Sequence, residues 1–397
     1  MIRLAVIFES SPFDRKGLFN AVHNRVRHLL QAGECSVDVY CIHSRDNAFT
    51  RRIRHTPETP SVDHVELDGI RYELMWYRFS VLDHVLVEKM HRRPLLFKRL
   101  VGRVIDRLKG YDILIGHSFT GAYLAYKAHC RYGTRFFANW HGSDVHTHPW
   151  RLSMMLEDTR TIMRTAECNF FVSNALRVFS DRIAADVCKE VLYNGVSDAF
   201  VRFSEQERNA ARRRFGLSEH EKSVAFAGSL VAVKNVRVLA PLFMKIRELY
   251  PGALRFLIAG DGKLRTAVEA DMAAAGLDVV FTGNLGAEEM PAFMNSTDVL
   301  VLPSLNEGLP LVCAEALCCG ANAAGSDVGG ISEVIGAENV VPLGPGFVDA
   351  LADRVVRMLQ GTVSQEVPSE LDWSATASKE YAILSEFHDL ARPGVDE

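Results

Sequence analysis

Long hydrophobic runs are missing from this chain of 397 residues. No stretch approaches the ~20 apolar residues of a helical membrane span, and an integral helical membrane protein is excluded on that ground. The opening Met1–Phe8 run is too short for a signal peptide and leads straight to Glu9. A cytoplasmic protein is therefore expected. Cysteine is sparse: eight residues, scattered, with no C-x-x-C pair and with Cys318 and Cys319 side by side. That spacing supports neither a zinc ribbon nor a disulfide scaffold, so free thiols in a reducing compartment are expected. No G-x-G-x-x-G follows the first apolar stretch, which removes the dinucleotide-dependent dehydrogenases. His141, Asp144, His146 and His148 form only a weak ligand pattern with no further cluster, and no metal is expected. Internal repeats and low-complexity segments are absent too.

What is present is an ordinary globular composition, 48% hydrophobic and 24% charged, long enough for two or three domains. The net charge of −4 conceals an asymmetry. Residues 1–200 hold 28 Lys and Arg against 22 Asp and Glu, and the remainder 17 against 27. A basic first half and an acidic second half suggest different partners for the two. Much of the basic excess lies in 85–109, which reads as one amphipathic helix. Leu95, Leu96, Leu100, Val104 and Leu108 share a face, and Arg92, Arg93, Lys98, Arg99, Arg103, Arg107 and Lys109 lie elsewhere. Such a helix suits either an anionic membrane surface or core packing with a solvated basic face. Nucleic acid is not expected, because no reading motif accompanies the charge.

The chain is organised around Val299–Gly320, VLVLPSLNEGLPLVCAEALCCG. Val299–Leu302 reads as a buried strand that Pro303 and Ser304 end. Asn306, Glu307 and Gly308 form a loop. Pro310 suits the first position of a helix running from Leu311 to about Cys319, and Gly320 suits its left-handed stop. Such a unit aims the helix N-terminus at whatever lies beyond the strand's C-terminal end, where open α/β sheets bind ligands, anions in particular. Glu315 sits among Leu311, Val312, Cys313, Ala314, Ala316 and Leu317. A charge in so apolar a helix is costly without a partner, and ribose hydroxyls would supply one. Glu307 could hold the hydroxyls of a sugar. A pyrophosphate between the two carboxylates would fit the N–H groups of Gly308, Leu309 and Leu311.

This stretch resembles the retaining glycosyltransferases of family four, which have the two-Rossmann-domain architecture called GT-B. The resemblance rests on Glu307 and Glu315 as an E-x7-E pair, on the surrounding PSLNEGLPLVCAEAL, and on Gly325–Gly336, GSDVGGISEVIG. It extends to HGSD at His141–Asp144 and to Asn194–Phe200, NGVSDAF, and is thinner before Trp140. It implies an α/β fold of two doubly wound, Rossmann-like domains facing across a cleft. An acceptor-binding domain would occupy 1–198 and a nucleotide-sugar-binding domain 199–374, with a helix over 375–397 crossing back to the first. It implies a role in donor binding for Gly17, Gly283, Asn284, Gly308, Leu309, Pro310, Leu311, Glu307 and Glu315. His141 would bond the donor sugar or phosphate, and Asp144 would fix the loop or reach the acceptor. Lys234 stands where the family has its diphosphate lysine. Five residues earlier the family usually has an arginine, and this chain has Ser229. One cation is thus missing from the leaving-group site.

The strands read in order are Ile2–Phe8, Val37–Ile42, Arg71–Phe79, Asp112–Gly116, Arg135–Asn139, Asn169–Ser173 and Val191–Gly195 in the first domain. The second has Val224–Gly228, Arg255–Gly260, Val279–Thr282, Val299–Leu302, Ala321–Gly325 and Val340–Leu343. The function implied is retaining transfer of a sugar, with a UDP-sugar favoured on family frequency, to a hydroxyl of a glycan or lipid-linked acceptor. The setting would be bacterial-type cell-surface polysaccharide or glycoconjugate synthesis, at the inner face of the cell membrane. No cofactor is needed, since the nucleotide-sugar is a substrate. Three rivals remain: a GT-B nucleotide-sugar epimerase, an inverting transferase, and a catalytically silent scaffold for nucleotide or lipid.

Overall fold

The computed structural model describes residues 1–13, 17–46, 60, 62–79, 81–88, 95–151 and 153–389. The chain divides into two compact units. One comprises Met1–Asn194 together with the segment from Asp372, and the other Gly195–Leu371.

The first unit is built on eight strands: β1 (Ile2–Glu9), β2 (Cys35–Asp46), β3 (His64–Leu67), β4 (Ile70–Phe79), β5 (Ile113–His117), β6 (Arg135–Trp140), β7 (Asn169–Phe171) and β8 (Lys189–Val191). Their order across the sheet is β3-β4-β2-β1-β5-β6-β7-β8. All neighbours are parallel except β3, which pairs antiparallel with β4. The run Leu4–Phe8 is buried throughout, as a parallel strand covered on both faces must be. Gly17–Ala32 packs Phe19, Val22, Val26 and Leu29 against one face. Because β1 lies between β2 and β5, the chain reverses its winding there. The crevice beyond the C-terminal ends of β1 and β5 is this sheet's ligand position.

The second unit has six parallel strands: β9 (Lys222–Ala227), β10 (Leu254–Ala259), β11 (Val279–Gly283), β12 (Val299–Leu302), β13 (Asn322–Ser326) and β14 (Val340–Val341). Their order is β11-β10-β9-β12-β13-β14, so its winding reverses between β9 and β12. The helix Glu205–Arg214 opens with a capping box, Ser204 and Glu207 each bonding the other's backbone N–H. It is fixed to the sheet through Asp298, which pairs with Arg208 at 2.9 Å and Arg212 at 3.3 Å. Asp298 also accepts the Ser223 N–H at 2.8 Å. These cations and the Ser223 N–H hold its carboxyl below the usual range against the opposing effect of burial.

Several expectations change. The basic stretch is two helices, Val81–Glu88 and Leu95–Arg107, and 89–94 lie outside the described residues. On the second of them Leu100 and Val104 are fully buried, as is Leu108 just beyond; the side chains of Leu95 and Leu96, expected on the same face, lie outside the described ones. Cys168 and Cys188 are joined as a disulfide ahead of β7 and β8, contrary to the free thiols expected, while six cysteines remain thiols. The last strand of the unit ends at Val191, where Val191–Gly195 was expected. Among the described residues no helix is long and apolar enough to cross a membrane.

Candidate functional site

At the winding reversal of the second unit, β9 leads into a loop over Gly228–Lys234 and β12 into one over Pro303–Pro310. A backbone bond from Leu305 N–H to the Val233 carbonyl, 2.8 Å, ties the two loops together. Beside it the Lys234 ammonium donates to Glu307 Oε1 at 2.6 Å. The Ser304 hydroxyl donates to the same oxygen at 2.6 Å. Two sequence-derived site residues 73 positions apart are therefore in direct contact, each shielding the other's charge. The loop from β13 lies on this one. Gly329, at φ +54°, passes so close that a Cβ would stand 2.0 Å from the Glu307 carbonyl oxygen. Only glycine fits there, and Gly330 N–H then bonds the Gly308 carbonyl at 3.1 Å.

The helix of this motif spans Leu311–Cys318, with Pro310 one place earlier than expected, at the N-cap. The Leu311 N–H, expected to face a pyrophosphate, instead donates to the Leu309 carbonyl at 3.1 Å. The N–H groups of Gly308 and Leu309 donate to no backbone carbonyl among the described residues. Glu315 is half-buried in this helix, and burial pushes its carboxyl up to about 7. Ser229 is exposed on the β9 loop. Gly283, at φ +71°, ends β11 with its carbonyl accepting the Gly260 N–H at 2.7 Å, and Asn284 beside it is exposed.

In the first unit, Gly17 is the first residue of its helix, and 14–16 before it lie outside the described residues. His141 follows β6 immediately. Asp144 is buried, and its carboxylate accepts the N–H of His141 at 3.1 Å and of Gly142 at 2.8 Å. Gly142 can turn there because it adopts φ +140°. Burial pushes Asp144 up to about 6, against the pull of the backbone N–H groups around it. The sequence reading left His117 out of the site. Its Nδ1 lies 3.0 Å from His141 Nε2. Burial drives His141 down to about 3 and His117 well below its usual value, each ring lowering further beside the Arg25 charge. The signal available in the sequence was its position at the C-terminal end of β5. Among the described residues no group of three or more metal-ligating side chains gathers.

Residues 221–361 match the family model described as glycosyl transferases group 1. A stretch of 176 residues is 35% identical to the 2-deoxystreptamine glucosyltransferase of Streptomyces kanamyceticus, covering 41% of this chain and 44% of that protein. The chain spans about half the length of the curated relatives it matches. Among solved structures, sucrose-phosphate synthase from Thermosynechococcus elongatus superposes with a TM-score of 0.70 at 18% identity, over 98% of both chains. The Anabaena protein HepE, in complex with UDP and glucose, does so with a TM-score of 0.67 at 15% identity, again over 98% of both. The chain thus has the two-Rossmann-domain fold of the GT-B glycosyltransferases, and the greater part of its second unit matches the group 1 glycosyl transferase family.

Proposed function

We propose that the protein is a retaining glycosyltransferase that moves a sugar from a nucleoside diphosphate, UDP by preference, to an acceptor hydroxyl. The observation that carries this reading is the Lys234–Glu307 pair at the winding reversal of the second unit, inside the segment that matches the family model. The presence of UDP in a structure of the same fold supports the nucleotide. In the transfer, the bond between the anomeric carbon and the leaving phosphate oxygen breaks, and a bond to the acceptor oxygen forms on the same face. The acceptor's proton passes to the departing phosphate. The diphosphate gains negative charge, which Lys234 and the N–H groups of Gly308 and Leu309 stabilise. Glu307 exchanges its internal partners for sugar hydroxyls. Glu315 accepts from the ribose, the Gly283–Asn284 turn meets the base, and His141 bonds an oxygen of the sugar or phosphate. The acceptor belongs to the first unit and is a glycan or a lipid-linked saccharide. Leu100, Val104 and Leu108 are buried and take no part in any membrane contact of 85–109. No cofactor or metal takes part in this scheme.

Incubation with UDP-, GDP- and ADP-sugars and a set of polyol and glycoside acceptors tests the reading. Release of one nucleoside diphosphate, with the anomeric configuration retained by NMR, is expected. Ser229 favours the rival of a silent scaffold, because it removes a cation. UDP binding without release from any donor would establish that rival.

The Glu315 carboxyl gives a second expectation. Ionised, it accepts strong, charge-assisted bonds from both ribose hydroxyls; protonated, it keeps only a neutral carbonyl acceptor and the bonds weaken. Its raised value of about 7 means that affinity for a UDP-sugar rises as pH rises through 7, by up to about tenfold between pH 6 and 8. Calorimetric titration should show this slope in the native protein and its loss in Glu315→Gln. The same raised value makes Glu315 favour folding below the ordinary carboxyl range, a contribution lost as pH climbs through 7.

A further inference from the structure

The His117–His141 contact joins two rings at the C-terminal edge of the first unit's sheet. In the β5–β6 register His117 lies opposite Asn139, two residues before His141. Asn139 is fully buried, and neither atom of its side-chain amide has a hydrogen-bond partner among the described residues. Arg25 is 2% exposed and its charge acts on both rings; its Nη2 donates to the Leu192 carbonyl at 3.0 Å, and its Nε meets the buried Glu380 carboxylate at 3.3 Å. Immediately after His117, Ser118 adopts φ +56°, a left-handed conformation rare outside glycine and found where a local geometry is held against its cost.

A hydrogen bond between two neutral imidazoles has one donor and one acceptor, which leaves two arrangements. In one, His117 Nδ1–H donates to a bare His141 Nε2, and the His141 proton sits on Nδ1. The pair then has its negative end, the His117 Nε2 lone pair, in the interior, and its positive end at His141 Nδ1–H. In the other, both dipoles reverse and an N–H points inward. His117 is 1% exposed and His141 half-buried, so the inner ring is His117. A permanent cation in the same interior favours the arrangement with the lone pair inward. Arg25 supplies that cation: Glu380 stands 3.3 Å from its Nε, but it is the Arg25 charge that acts on both rings.

We propose that His117 is a positioning residue that fixes the His141 imidazole as the Nδ1–H tautomer, so that His141 offers a donor and no lone pair to a ligand. The tautomer is set by the bond the other nitrogen makes. On the function proposed above, on which this consequence rests, His141 donates to a hydroxyl or phosphate oxygen. It does not act as a general base, and the acceptor's proton is left to the leaving phosphate.

Long-range proton–nitrogen correlation spectra of the full-length protein labelled with 15N-histidine test this without turnover. His141→Gln identifies the signals. The expected pattern in the native protein is a protonated Nδ1 and a bare Nε2 at His141. In His117→Phe the ring is expected to revert to the Nε2–H form that imidazole prefers in water. In His117→Asn, whose amide N–H can take the place of Nδ1–H, the native pattern is expected to persist. A His141 protonated on Nε2 in the native protein overturns the proposal, and needs no variant to fold. An unchanged pattern in His117→Phe overturns it equally. For transfer, His117→Phe is expected to lose about a hundredfold in kcat/KM, with most of it recovered in His117→Asn. The expected spectra together with no transfer from any donor would strike the function proposed above and leave the positioning intact.

Discussion

Lys234→Ala is expected to lower kcat/KM for sugar transfer by about a thousandfold, the scale of losing one preorganised group that meets developing charge. Two features of this chain place the effect at the high end. The position five residues earlier is Ser229, so the cation that shares the load in the resembled family is absent. The ammonium is also already in place, 2.6 Å from Glu307 Oε1 and only 22% exposed, so little reorganisation precedes its use. Glu307→Gln is expected to lose a similar factor. It keeps a hydrogen-bonding atom beside Ser304 but removes the charge that holds Lys234. The two residues act as one unit, so the double variant should lose far less than the product of the two single losses. Steady-state kinetics on the donor identified in the panel decides this. Glu307→Gln with unchanged turnover would remove that residue from the mechanism, and full additivity would remove the coupling.

The second unit was the more legible half, for a physical reason. Its strands are short and parallel, and β12 is buried at all four residues, so Val299–Leu302 shows as an uninterrupted hydrophobic run. That strand begins and ends where the sequence places it. The loops after β9, β11 and β12 carry the side chains read as donor contacts. What could not be read were features whose cause lies far away in the chain. The strand His64–Leu67 is an edge strand with alternating half-exposed residues and no hydrophobic run. Lys189–Val191 is half-buried throughout and is defined by pairing with β7. The Lys234–Glu307 pair depends on β9 and β12 being neighbours, and the His117–His141 bond on the β5–β6 register. The disulfide partners flank adjacent strands, which spacing alone does not reveal. In the basic stretch the hydrophobic spacing marked Leu95, Leu96, Leu100, Val104 and Leu108 as one face, and the last three of these are buried.

Glu380→Ala is expected to destabilise the first unit by about 3–5 kcal/mol, the cost of stranding one member of a buried ion pair. Glu380 lies on the helix Trp373–Asp389, which packs along Gly17–Ala32. Its carboxylate meets Arg25 Nε at 3.3 Å, with the two side chains 0% and 2% exposed. Burial drives Arg25 below its usual value and Glu380 above, and each partner's charge opposes the other's shift. The remaining ties of this helix are weaker. Tyr381 packs on Gly33 and accepts the Glu34 N–H at 3.1 Å, Thr376 donates to the Tyr193 carbonyl at 2.8 Å, and Lys379 pairs with Glu190 on the surface. Removing Glu380 leaves the guanidinium with the Leu192 carbonyl as its hydrogen-bond acceptor. Removing both charges with shape kept, Arg25→Met with Glu380→Leu, should restore stability to within about 1 kcal/mol of the native value or exceed it. With two units in one chain, a single unfolding midpoint would mix them. Hydrogen exchange of the Trp373–Asp389 amides is the sharper readout, because it reports the opening of this helix alone. Glu380→Ala should speed that exchange by more than a hundredfold, and the double apolar variant should return it to the native rate. Native exchange in Glu380→Ala would mean that the aromatic contacts hold the helix and the ion pair does not. The apolar double variant serves a second purpose. It removes the interior cation, together with its carboxylate partner, while the helix stays docked. If Arg25 sets the direction of the His117–His141 bond, the Nδ1–H form of His141 should then share its population with the other tautomer in a protein of native stability.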